Sequence, residues 1–175
     1  MRLRLALALV TFASLSLWAS GQGPAPSLSA GEQLKMLARN QRLLDDLVER
    51  GLGMSAARSP LARIEECRKT TDRLSDELRH AVDRNDSDRI AEIGDHLHLL
   101  VSDALVPNLR EARKQIRPES ADYPLLLERE AQVQRSVNEL NPLLPTTGEL
   151  SKSRRVQLTR EKLQKAAQDV QGNTR

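Results

Sequence analysis

Apolar residues recur at intervals of three and four along most of the chain, the spacing that places side chains on one side of a helix. The first such segment runs from Ser29 to Arg50, with Ser29 and Glu32 in the S-x-x-E relation of a capping box and Gly51 after its end. Its apolar positions are Leu34, Leu37, Leu44, Leu47 and Val48. The pattern predicts a first helix whose heptad-like spacing also permits coiled-coil association.

Two further helices follow. Ser59 is suited to cap the second helix, with Pro60 at its first position, and Asn85 or Asp86 is suited to cap the third. Pro107 interrupts the apolar spacing of the third helix, so we expect a kink there or a break into two short helices. The apolar positions are Leu61, Ile64, Cys67, Thr71, Leu74, Leu78 and Val82 in the second helix, and Ile90, Ile93, Leu97, Leu100, Val101 and Ala104 in the third.

A fourth helix is predicted from Asp122 to about Asn141. It contains the adjacent leucines Leu125, Leu126 and Leu127, which cannot all face one core on a helix with 3.6 residues per turn. Either this helix is buried on two sides, or part of the run forms an apolar patch for a partner protein. The candidate partner-binding residues are Leu99 on the third helix and Leu125, Leu126 and Leu127.

These segments predict an all-α fold: an antiparallel helical bundle of four to six helices with coiled-coil-like spacing. The bundle domain covers residues 29–141, a proline-containing linker residues 142–147, and a basic C-terminal helix or partly disordered tail residues 148–175. Gly94 lies on or near the apolar face of the third helix, so we expect a neighbouring backbone to approach closely there.

The N-terminus predicts export. Residues 1–21 contain two early arginines, an apolar run of about 14 residues and the small residues Ala19, Ser20 and Gly21, which together indicate a signal peptide cleaved near Gly21. The run is shorter than the roughly 20 apolar residues that a membrane anchor needs. Residues 22–28 are then a linker, and the mature chain is periplasmic or extracellular.

Charge and composition bear on nucleic-acid binding and on the placement of the C-terminal segment. The mature chain from residue 22 has 25 basic and 24 acidic residues and keeps one aromatic residue, Tyr123, which argues against nucleic-acid binding. Residues 151–175 carry a net charge of +5 and residues 22–150 a net charge of −4. The basic segment, with Arg154, Arg155, Lys162 and Lys165, is expected to dock on the acidic body or to be partly disordered, and weak contact with an anionic membrane surface is the alternative.

The stretch GDHLHLLVSD contains the candidate metal ligands. His96 and His98 are about 200° apart around a helix, so the two rings cannot bind one ion from the same side. Surface pairing with nearby carboxylates is the simpler interpretation. The alternative is a metal site formed by His96 with Asp95, Glu92 or Cys67, which requires these groups to converge across helices.

No catalytic motif or cofactor-binding motif is evident, and we expect acidic residues such as Glu65, Glu66, Asp72, Asp76 and Glu77 to lie on solvated helix faces. Cys67 lies in the apolar stripe of its helix, which favours a buried structural thiol over a nucleophile. The sequence thus favours a non-enzymatic interaction or scaffold protein of the cell envelope. It would bind another envelope protein, or a second copy of itself, through helix faces.

Overall fold

The computed structural model describes residues 29–173, and the regular elements in this range are all helical, as predicted. The predicted signal peptide and the linker 22–28 lie outside the described residues. The chain divides within its first helix into two compact units, one up to Leu43 and one from Leu44 onward. The helices are α1 (Ala30–Ala56), α2 (Pro60–Asp83), α3 (Ser87–Leu99), α4 (Val106–Gln115), α5 (Tyr123–Asn138), α6 (Gly148–Lys152) and α7 (Arg154–Asn173).

Two helix starts have the predicted cap chemistry. The Ser59 hydroxyl accepts a hydrogen bond from the Ala62 N–H at 3.2 Å, and Pro60 is the first residue of α2. The Asp86 carboxylate accepts from the Arg89 N–H at 3.0 Å at the start of α3. Each cap satisfies an amide group that a helix start leaves without an intrahelical partner.

Helices α2 and α5 run parallel. Glu65 pairs with Arg129 at 2.8 Å, and Ser136 donates a hydrogen bond to Asp72 at 3.0 Å. Both contacts join residues 64 positions apart. The two contacts lie at different positions along the helices but have the same separation in sequence. The two helices therefore run in the same direction.

Helices α3 and α7 form a second parallel pair. Asp88 pairs with Arg155, and Asp95 pairs with Lys162 at 2.6 Å, again with one constant offset of 67 positions. Helix α2 runs antiparallel to the helical stretch that follows it, since Arg63 near the start of α2 contacts Asn108 in α4, far along that stretch. The sequence predicted an antiparallel bundle, and these two parallel pairs depart from that prediction.

The core lies between α2, α3, α4, α5 and α7, and helices α2 to α7 pack together. Aliphatic side chains dominate it, in keeping with the single aromatic residue after position 21. The largest fully buried apolar side chains are Ile64, Leu78, Ile90, Ile93, Leu97, Leu105, Leu109, Leu126, Leu140, Leu144 and Leu163.

Gly94 sets the distance between α3 and α7. A Cβ at this position would overlap the Cγ2 methyl of Thr159, which is buried in the facing side of α7. The close neighbour that the sequence predicted is therefore present, but it is a side chain rather than a backbone. Glycine at position 94 lowers the helix propensity of α3, but it lets α7 pack closely against α3.

Pro107, in the middle of the long helical stretch, does not break it into two separate helices. A π-helical segment, Leu100–Leu105, joins α3 directly to α4, and the Val106 N–H bonds to the Val101 carbonyl five residues back. Pro107 has no N–H to donate, and in an ordinary helix its ring would press on the carbonyl four residues earlier. The wider π turn accommodates the proline while the helical stretch continues.

Candidate interaction surface

One face of the second half of α1, residues 44–56, is held on α2. Asp46 accepts a hydrogen bond from Arg73 Nε at 2.7 Å, and Cys67 Sγ lies 3.4 Å from Met54 Sδ. At Gly53, an added Cβ would lie 3.4 Å from a carboxylate oxygen of Glu66, so the two helices are close there as well. This inner face is therefore fixed by an ion pair and a sulfur contact to a buried cysteine.

The opposite face of the same segment is apolar and exposed. Leu44, Val48 and Leu52 follow one another at intervals of four and are 62%, 62% and 67% exposed. We call these three residues the α1 outer face. Exposed single leucines are common on protein surfaces, but a row of large apolar side chains along one helix is less common, which makes the α1 outer face a candidate interaction surface.

The sequence pattern identified only part of this face. Leu44 and Val48 belong to the predicted stripe of the first helix, but Leu52 lies beyond Gly51, which follows the predicted end of that helix. The helix continues to Ala56. The signal that could have found Leu52 is its spacing of four from Val48.

The predicted patch on α3 and α5 is divided between surface and core. Leu99, Leu125 and Leu127 are exposed, whereas Leu126 is 1% exposed and belongs to the core. The assignment of Leu126 to a partner surface is therefore wrong. Leu126 takes the inward direction in the first turn of α5, which leaves its two neighbours to point outward.

A small cleft lies beside Leu127. Its floor contains a two-pronged ion pair, in which Arg113 Nε and Nη2 donate to Glu130 Oε1 and Oε2 at 2.5 and 2.8 Å. This hydrogen bonding raises the pKa of the Arg113 guanidinium. The cleft volume is about 230 Å³, below the range of about 300–1,000 Å³ typical of small-molecule sites. The remaining lining residues are Ile116, Pro118, Tyr123, Leu126 and Leu127.

The candidate metal ligands are distributed over separate pairings. Glu92 pairs with Arg89 at 2.6 Å, Asp95 pairs with Lys162 on α7, and His96 is exposed. Within residues 29–173, no group of three or more His, Cys, Asp or Glu side chains is arranged to hold a metal ion.

Cys67, the other candidate metal ligand, is fully buried. Burial raises the pKa of its thiol to about 11. A thiol is a metal ligand and a nucleophile only as the thiolate, so this environment favours the structural role expected from the apolar stripe.

The basic helix α7 is docked on the body by its apolar side. Its inward positions follow the alternation of three and four that is typical of helix packing, and all are buried: Val156, Thr159, Leu163, Ala166 and Val170. Arg155 and Lys162 form ion pairs with acidic residues of α3, while Arg154 and Lys165 are exposed. None of the described helices is both long and apolar enough to cross a bilayer.

Two buried carboxylates were missed by the sequence analysis. Glu77 was expected on a solvated face but is buried, and its carboxylate pairs with Arg73 at 2.9 Å. Glu130 is buried at an inward position of α5, between Leu126 and Val133. The spacing of Glu130 from those neighbours, four and three, could have indicated its burial.

A polar seam joins the parallel helices α2 and α5. Arg68 donates to both Glu65 and Asp72, at 2.9 and 2.6 Å, and Arg129 reaches Glu65 from α5. The hydrogen bond from Arg68 lowers the pKa of Glu65. Because these cations and carboxylates compensate one another, the seam is suited to hold two helices in register.

Comparisons of the chain with models of protein families, with curated proteins and with solved structures found no match.

Proposed function

We propose that this is an exported, non-enzymatic interaction protein of the cell envelope, which binds another protein through helix faces. The observation that carries the proposal is the α1 outer face, formed by Leu44, Val48 and Leu52, each more than 60% exposed on a helix whose other side is held on α2. Leu99, Leu125 and Leu127 add further exposed apolar area on α3 and α5.

Burial of the α1 outer face would supply part of the binding energy of an interface, because association itself costs at least about 4 kcal/mol. Fully burying a leucine or valine contributes about 2 kcal/mol. The exposed fractions of Leu44, Val48 and Leu52 therefore correspond to about 4 kcal/mol for the three side chains together. That is about a thousandfold in affinity, before charged residues at the rim are considered.

The polar chemistry of the described residues supports a structural rather than a catalytic role. The buried carboxylates of Glu77 and Glu130 each face an arginine, and Cys67 is a buried thiol with a raised pKa. The metal alternative draws no support from the separate pairings of Asp95 and Glu92. The membrane alternative draws none from α7, whose apolar side is buried against the body.

Site-specific crosslinking tests the proposed surface. A photo-activatable residue replaces Val48 in one variant and Leu158 in another, because Leu158 is a partly exposed apolar residue on a different helix, α7. We expect a discrete adduct from position 48 and none from position 158. The captured protein, once purified, should bind the unmodified chain and bind V48E at least tenfold more weakly, while L158E retains full binding.

Equal crosslinking from both positions, or unchanged binding of V48E, would contradict the assignment of the α1 outer face. Export is tested separately by sequencing the N-terminus of the protein from its native cells. The expected chain begins at Gln22 in the exported fraction, and an intact Met1 in the cytosolic fraction would overturn this part of the proposal.

A further inference from the structure

The two halves of α1 carry opposite charge. Residues 30–43 contain three basic residues and one acidic residue, a net charge of +2. Residues 44–56 contain one basic residue and three acidic residues, a net charge of −2. The two halves of one helix are therefore electrostatically complementary to each other.

Each half also carries exposed apolar side chains. In residues 30–43, Leu34 and Leu37 are 67% and 65% exposed, and Lys35 is exposed as well. In residues 44–56, the α1 outer face is accompanied by the exposed carboxylates of Asp45 and Glu49. Each half thus has what an interface requires, an apolar strip and a rim of charge, and the sign of the charge differs between them.

We propose that the α1 outer face binds residues 30–43 of a second copy of this chain, with the two α1 helices antiparallel. The proposal rests on the proposed function, since it names the partner of the same surface. In this arrangement each copy gives its basic half to the acidic half of the other, and the exchange is reciprocal, as a two-fold dimer requires.

The antiparallel direction follows from the charges. Parallel helices would place +2 against +2 and −2 against −2, whereas antiparallel helices place +2 against −2 at both ends. An antiparallel alignment that sets Leu37 opposite Val48 of the second copy also brings Leu34 within one residue of Leu52, so apolar residues of the two halves meet at both positions, while Leu44 faces Gln41 near the two-fold axis.

A second copy fits this surface better than an unrelated protein, because the complement of the acidic half lies in the same sequence. The same reciprocal contact covers exposed apolar residues of both halves of α1.

Light scattering coupled to size exclusion tests the dimer on residues 22–175 over a hundredfold range of concentration. We expect twice the monomer mass for the unmodified chain and for L158E, and the monomer mass for V48E and L52E. Circular dichroism verifies that each variant keeps its helix content. A monomer at every concentration, or a dimer that survives both V48E and L52E, overturns the proposal.

Charge reversal tests the direction of pairing. D45K/E49K changes the net charge of residues 44–56 from −2 to +2, so antiparallel partners repel and the dimer should weaken at least tenfold. Adding K35E/R39E in the same chain changes residues 30–43 to −2 and should restore the dimer. A dimer unaffected by D45K/E49K, or one that the second reversal leaves broken, contradicts antiparallel pairing.

The two proposals fail separately. If the chain is a monomer at every concentration while position 48 captures a different protein whose binding V48E weakens, self-pairing is overturned and the proposed function stands. If the chain is a monomer and position 48 captures nothing, both proposals fall.

Discussion

Helix α7 and residues 44–56 of α1 are both amphipathic, yet the apolar side of α7 is buried and the α1 outer face is exposed. The difference lies in what the neighbouring helices offer. Helix α3 presents Gly94, which permits close packing with α7, and it presents Asp88 and Asp95 to the cations of α7. Amphipathic spacing therefore predicts a helix and a face, while a complementary helix decides whether that face is covered within the chain.

The largest expected effect is the difference in free energy of unfolding between two Leu-to-Ala substitutions, one at a buried position and one at an exposed position. Leu163 is fully buried at the centre of α7, so L163A should destabilise the fold by about 3 kcal/mol, within the range for Leu-to-Ala changes in cores. Leu52 is 67% exposed, so L52A should change the free energy of unfolding of the monomer by less than about 0.5 kcal/mol. Urea unfolding at a concentration where the chain is monomeric measures both, and equal losses would contradict the contrast between the helices.

The close approach of α3 and α7 is tested by G94A. The added methyl overlaps Thr159 Cγ2, so we expect a loss of about 2 kcal/mol, although alanine alone favours a helix by about 1 kcal/mol. T159S in the same chain removes that methyl and should restore part of the stability. A more stable G94A protein would mean that the contact does not limit how α7 packs.

The inner face of α1 is tested through Cys67, which contacts Met54. Burial raises the pKa of the thiol from 9.0 to about 11, so between these values the unfolded chain has lost the proton that the folded chain keeps. Stability should therefore fall as pH rises from 9 to 11, by about 1.4 kcal/mol per pH unit at most. C67A should lack this part of the pH dependence, and identical slopes for the two proteins would count against a buried thiol.

The smallest effect concerns the ion pairs between α3 and α7. Lys162 and Asp95 are both partly exposed at the surface, so K162Q should cost less than about 1 kcal/mol, and the loss should shrink further at high salt. Thermal unfolding at low and high ionic strength measures it. A loss as large as that of L163A would show that charge, rather than the apolar face, holds α7 in place.

Much of the fold was predictable because its signals are local. Ser59 and Asp86 cap the helices that their positions predicted, and the spacing of apolar residues identified the stripes of α2 and α3. Pro107 indicated an irregularity, but whether a helix kinks, breaks or widens to a π turn depends on how its two parts pack.

The candidate site was less predictable because burial depends on partners distant in sequence. The sequence around Glu77 is that of a surface residue, and its burial follows only from the helices packed around α2. Leu126 is one of three adjacent leucines, and only the orientation of α5 shows that it alone is buried. In the same way, the spacing of Leu44 and Val48 predicted that they share one face of the helix, but it did not predict that this face is exposed.

The parallel pairing of α3 with α7 has a consequence for the order in which the protein folds. Asp88 and Asp95 meet partners 67 positions later in the chain, so this contact closes a long loop and cannot form by zipping from a turn. During synthesis, the side of α3 that carries Gly94 remains uncovered until α7 has left the ribosome. Folding should therefore be slow for an all-helical protein of this size, and a nascent chain that ends before Arg154 should remain sensitive to proteases.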